Sequence, residues 1–164
     1  MKTNIGIDQD KLPKIGRILN LLLADETMLY LTTRDYHWNV TGNEFLSLHQ
    51  QFEAQYDQVA KWIDEIAERA RAIGVGAHGS LAEIARTIRS SAIAGTGMPA
   101  SQMVAALVAL HEDLVIRLRA DSEACAVTYG DTGSADFLTG LMEWHEKTAW
   151  LLRAQIENDS AETG

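Results

Sequence analysis

The sequence predicts an all-α subunit: four long helices arranged as two hairpins and joined by one long crossover. Three observations carry this. Apolar residues recur at helical spacing over four long stretches, and no segment alternates polar and apolar residues as a half-buried strand would. Clusters of Gly, Asn, Asp and Ser follow the first and third stretches, where short turns belong, while residues 74–101 separate the second from the third. Only two prolines interrupt 164 residues, and 46% of them are hydrophobic, enough for the core of one compact helical domain. There is no internal repeat.

Residues 1–10 are polar and read as a loose N-terminal tail. Pro13 suits a first helical turn, where its missing N–H costs nothing. Ile15, Ile18, Leu19, Leu22, Leu23, Leu29 and Tyr30 then mark a first helix ending near Trp38. A polar break follows over residues 39–44, where Gly42 and Asn43 tolerate left-handed backbone angles. The second helix runs over about residues 44–73, through Phe45, Leu48, Phe52, Tyr56, Val59, Trp62, Ile66 and Ile73, and Gly74 stops it. In the crossover, Ser80 and Glu83 have the spacing of a capping box, opening a short helix to about Ser90. Residues 94–99 read as a loop. Ser101 is the expected cap of the third long helix, which ends near Gly130. Residues 131–136 read as a tight turn, and the fourth helix extends from about Ser134 to Glu157. The bundle domain is thus residues 11–157, followed by a polar C-terminal tail, 158–164.

Bulk properties narrow the function classes. The formal net charge of −9 opposes general affinity for nucleic acid or anionic membrane and favours a surface that attracts cations. A single cysteine, Cys125, precludes an internal disulfide and fits a reducing compartment. The N-terminus lacks the apolar region of a secretory signal, and no run approaches the roughly 18 apolar residues of a membrane span. A cytoplasmic protein is expected.

The chemistry concentrates between Tyr36 and Gly74. His37 lies six residues before Asn43 and His49 six after it. In an antiparallel hairpin, positions equidistant from the turn lie level, so the two imidazoles can converge. Taken singly, either histidine is more often a cap or a satisfied core residue. Asp64 and Glu68 are i,i+4 neighbours on one helical face, an arrangement that is usually just solvated. His49 and Asp64 are fifteen residues apart on the same helix. At 1.5 Å per residue that separation is roughly 22 Å, too far to share one metal ion. The histidines and the acids are therefore either unrelated or two half-sites. An antiparallel two-fold mate would bring the histidines of one subunit to the acids of the other, twice per interface.

The run His37-Trp38-Asn39, Gly42, Phe45, Leu48-His49, with Asp64, Glu68-Arg69 and Gly74 in register, resembles the Dps family, ferritin-like "DNA-binding proteins from starved cells". The resemblance extends over about residues 11–157. It implies a ferritin-like four-helix bundle, a hollow twelve-subunit shell and a ferroxidase site between subunits, with His37 and His49 of one chain and Asp64 and Glu68 of its mate as iron ligands. It implies further that Glu53 is an additional metal ligand or a group orienting one, that Trp38 intercepts radicals, and that Asp131 and Asp136 line pores admitting Fe(II). Hydrogen peroxide is the oxidant the family suggests, and iron storage with ferroxidase activity the function.

Imidazole and carboxylate without thiolate suit Fe(II), Zn(II) or Mn(II), so zinc can compete for the same site. No histidine here has a glutamate three residues before it, which argues against the Glu-x-x-His di-iron centre of other bundles. His78, in the crossover, is a weaker candidate for an extra ligand, and His111 and His145 read as structural. The rival function, a nucleoid protein that coats DNA, needs clustered tail lysines. Lys2, Lys11 and Lys14 are offset by Asp8 and Asp10, and the C-terminal tail carries Glu157, Asp159 and Glu162 with no base. A zinc-sequestering shell without redox turnover is a third reading.

Overall fold

The computed structural model describes residues 3–91 and 94–159, with side chains through Ile156. Its helices are α1 (Leu12–Asn39), α2 (Phe45–Ala72), α3 (Leu81–Thr87), α4 (Ala100–Glu123) and α5 (Thr132–Asp159), with no strand among the described residues. α1 packs along α2 and α4 along α5, and α3, in the crossover, rests on α1. The result is a four-helix bundle of two hairpins with a short helix in the crossover.

The helix ends explain where the chain departs from sequence expectation. The first hairpin turns at Gly42, whose φ of +108° is a conformation that side chains with a Cβ rarely adopt. Ser80 and Glu83 form the expected reciprocal capping box, yet α3 stops at Thr87 rather than near Ser90. Arg89 explains the early stop. Its backbone N–H and its Nε both donate to the buried carboxylate of Asp25, at 2.9 and 2.7 Å, which holds the chain against α1. Ser101 is not the cap of α4: Pro99 occupies that position, and Ser101 lies within the first turn. α4 gives way to a π-helical turn, Ala124–Thr128, around buried Cys125. There is no free turn over residues 131–136, because α5 already starts at Thr132. α5 also runs two residues past Glu157, so the C-terminal tail begins later than expected, and residues 160–164 lie outside the described residues. The N-terminal segment is likewise not a loose tail from Thr3 onward. Ile7 packs against the core, and Gln9 Nε2 donates to the Thr3 carbonyl at 2.7 Å.

The core follows the helical period. Leu19, Leu22 and Leu29 of α1 meet Phe52, Val59 and Ile66 of α2 and Met103, Leu107, Leu114 and Leu118 of α4, all essentially without solvent contact. Each such side chain contributes about 1.5–3 kcal/mol on burial. Polar links also cross between the hairpins. Arg117 of α4 donates to Asp25 of α1 at 3.1 Å, and Arg69 of α2 donates to Asp131, the cap of α5, at 2.8 Å.

Candidate metal centre

His37 stands two residues before the end of α1, where carbonyls lack intrahelical partners. His49 stands in the second turn of α2. The turn at Gly42 sets them level, and their rings stack with centroids 3.7 Å apart and planes 19° from parallel. The contact is reciprocal. His37 Nδ1 meets the His49 carbonyl at 2.8 Å, and His49 Nδ1 meets the His37 carbonyl at 2.9 Å. A carbonyl oxygen can only accept, so each Nδ1 carries the proton and donates. Each Nε2 then keeps its lone pair, the state required of a metal ligand whose other ring nitrogen is held by a backbone carbonyl.

A shell of aromatic groups surrounds this pair. The Tyr56 ring stands edge-on to His37 at 5.3 Å, and Phe45 lies 5.1 Å from His49. Arg34 sits over three rings, Tyr30, Trp38 and Tyr56, at 5.0–5.4 Å, and donates to the Tyr30 hydroxyl at 2.6 Å. Trp38, in the last turn of α1, is 64% exposed, with Arg34 over its ring. Arg34 was legible in principle, since Tyr30, Arg34 and Trp38 follow one another at i,i+4 spacing. Glu53 is exposed and accepts from the Tyr56 hydroxyl at 3.4 Å. Burial raises the Tyr56 phenol above its ordinary value, and the neighbouring Glu53 carboxylate adds to the shift.

Asp64 and Glu68 lie further along α2 and are exposed. Asp64 borders an apolar groove of about 520 Å³ between α1, α2 and the crossover, lined by Leu23, Tyr30 and Ile63 among others. Among the described residues, no three His, Cys, Asp or Glu side chains are arranged to hold a metal within one chain. The histidine pair and the acid pair are separate on the subunit, as their spacing requires. Arg69, next to Glu68, is fixed by Ser134 and Asp131 at 2.9 and 2.8 Å. Asp131 is buried and also caps α5 through the Ser134 N–H at 3.0 Å, so within the subunit its carboxylate is fully engaged, whereas Asp136 is exposed. His78 is exposed, and its backbone N–H donates to Asn20 Oδ1 at 2.8 Å. His111 and His145, read as structural, form with Glu26 a fully buried array.

A ferritin-like domain model matches residues 17–161, which agrees with the bundle and makes this a ferritin-like protein. A low temperature-induced protein of Nostoc sp. (strain PCC 7120) is 40% identical over 161 residues, 98% of this chain and 90% of that one. The DNA protection during starvation protein 2 of Bacillus anthracis is 36% identical over 141 residues, 86% and 95% of the two chains. Among solved structures, the Vibrio cholerae Dps protein, described as a member of a superfamily of ferritin-like diiron-carboxylate proteins, superposes with a TM-score of 0.88 at 29% identity, covering 95% and 98%. The Bacillus brevis Dps protein gives 0.86 at 30% identity, covering 91% and 99%. Within the ferritin-like class, the chain belongs to the Dps family. No helix among the described residues is long and apolar enough to cross a membrane.

Proposed function

We propose that this chain assembles as a homo-oligomer, a hollow twelve-subunit shell of the bacterial cytoplasm, that oxidises Fe(II) between two-fold-related subunits and stores the ferric product inside. His37 and His49 of one subunit and Asp64 and Glu68 of its mate are the ligands, with Glu53 the further carboxylate beside the histidines. The single observation carrying this reading is the reciprocal Nδ1-to-carbonyl bonding, which gives two adjacent imidazoles free Nε2 lone pairs. The apolar groove beside Asp64 offers a surface for the mate to cover.

Iron is the substrate. Two imidazoles hold Fe(II), and the carboxylates stabilise the greater charge of Fe(III). With hydrogen peroxide as oxidant, the O–O bond breaks, two Fe(II) each lose one electron, and two protons complete two waters. No hydroxyl radical is released. Trp38, exposed beside the site, intercepts stray oxidising equivalents. Exposed Asp136 borders the route by which Fe(II) arrives, and Asp131, engaged by Arg69 and Ser134, holds the start of α5 in place there. The test is anaerobic Fe(II) loading followed by peroxide, watched by absorbance. The variant His37→Ala/His49→Ala is expected to assemble normally and lose rapid oxidation. Wild-type rates in an intact shell of that variant would overturn the assignment.

A further inference from the structure

Glu26 of α1, His145 of α5 and His111 of α4 are each wholly removed from solvent, yet none belongs to the centre described above. They form a line. His145 Nε2 meets Glu26 Oε1 at 2.8 Å, and His145 Nδ1 meets His111 Nδ1 at 2.8 Å. The line ends in unpartnered atoms on both sides, Glu26 Oε2 and His111 Nε2. The Trp144 ring packs 4.8 Å from His145 and 5.8 Å from His111 and separates them from Trp62 of α2, whose Nε1 is also buried without a partner.

Proton placement in such a line is directional. With Glu26 ionised, His145 donates from Nε2, accepts at Nδ1 from His111 Nδ1–H, and leaves a lone pair on His111 Nε2. One further proton on His145 reverses the inner bond: His145 Nδ1 then donates, and His111 must carry its proton on Nε2, where no acceptor is present. A proton on His111 itself places a charge where burial and the neighbouring His145 both oppose it. The titratable groups in the line are Glu26 from α1, His111 from α4 and His145 from α5, and α2 brings the indole of Trp62 up to Trp144.

We propose that Glu26, His145 and His111 form a proton-sensitive latch that ties α1 to the α4–α5 hairpin at neutral pH and weakens the bundle when the pH falls. The sign follows from His111. Unfolded, its imidazole takes a proton near pH 6.5, whereas the folded core keeps it neutral. The unfolded chain therefore binds more protons below that pH, and stability falls with falling pH, starting as the pH drops through 6.5.

The experiment is equilibrium urea unfolding of the assembled protein at pH 7, 6 and 5, followed by tryptophan fluorescence, for wild type and His111→Asn. Asparagine keeps a donor near the Nδ1 position and cannot be protonated. Between pH 6 and 5 the wild-type unfolding constant is expected to rise about tenfold more than that of the variant, the consequence of one proton. Parallel pH profiles would overturn the latch. Should His111→Asn fail to fold, the ¹⁵N imidazole spectrum of the folded wild type at pH 5 decides: a neutral His111 supports the latch, and a protonated one overturns it.

Discussion

His37 and His49 each direct Nδ1 at a backbone carbonyl, whereas the Nδ1 atoms of His111 and His145 face each other. That difference separates a pair whose Nδ1 atoms are tied to backbone from one tied side chain to side chain, and it can be tested one atom at a time. His49→Asn keeps an N–H donor near the Nδ1 position but removes Nε2. Its stability should stay within about 0.5 kcal/mol of wild type, while Fe(II) oxidation falls about 10–100-fold. His49→Ala removes both and should cost about a further 1 kcal/mol, read from urea midpoints, because the His37 carbonyl loses its donor. Cys125 poses the opposite case, a reactive group made inert. Burial, reinforced by the nearby Asp131 and Asp121, pushes its thiol up to about 12. The thiolate is the nucleophile, so at pH 8 alkylation of the folded protein should be on the order of a thousandfold slower than of the unfolded chain, whose thiol has an ordinary pKa of ~8.5. Equal rates, followed by mass spectrometry, would show that the thiol is not shielded.

Elements were legible to the degree that their signals are local. The α3 cap was readable because Ser80 and Glu83 lie within one turn, and both capping bonds are present. Ser80→Ala should therefore cost about 1 kcal/mol, seen as faster hydrogen exchange of the α3 amides with the rest of the bundle unchanged. The paths of α1 and α2 were readable from apolar periodicity alone, but their closeness was not. A Cβ added at Gly16 would meet Val75 Cγ1 at 2.3 Å, so α1 passes tight against the chain just beyond α2. Gly16→Ala, although favourable for an isolated helix, should destabilise the protein by about 1–3 kcal/mol in thermal unfolding. Signals that depend on distant residues were not legible. The end of α3 depends on Arg89 reaching Asp25, 64 residues earlier, and the buried line depends on Glu26 meeting His145, 119 residues away. Helical spacing ended the first helix near Trp38 but could not tell that its ring stays exposed there.

For the whole molecule, charge and symmetry are the levers. With a formal charge of −9 per chain, multiplied by any assembly, the protein should not retard plasmid DNA at neutral pH and physiological salt. A complex that dissociates as salt rises would reveal a basic surface and favour the DNA-coating role. The proposed split site makes the stronger demand, because it rests on the length of α2: about 22 Å of helix separates His49 from Asp64, so under that proposal each pair needs a second subunit to complete it. A variant lacking only the histidine pair and one lacking only Asp64 and Glu68 are then both inactive as pure assemblies. An interface between the two types places intact histidines of one chain opposite intact acids of the other. One of its two sites is whole, and the second has lost both halves. Random co-assembly makes about half of all interfaces mixed, so about a quarter of all sites should be restored. Refolding the two variants together should recover ferroxidase activity near that fraction of wild type. If mass measurement confirms mixed assemblies and oxidation stays absent, the ligands do not meet across the two-fold interface.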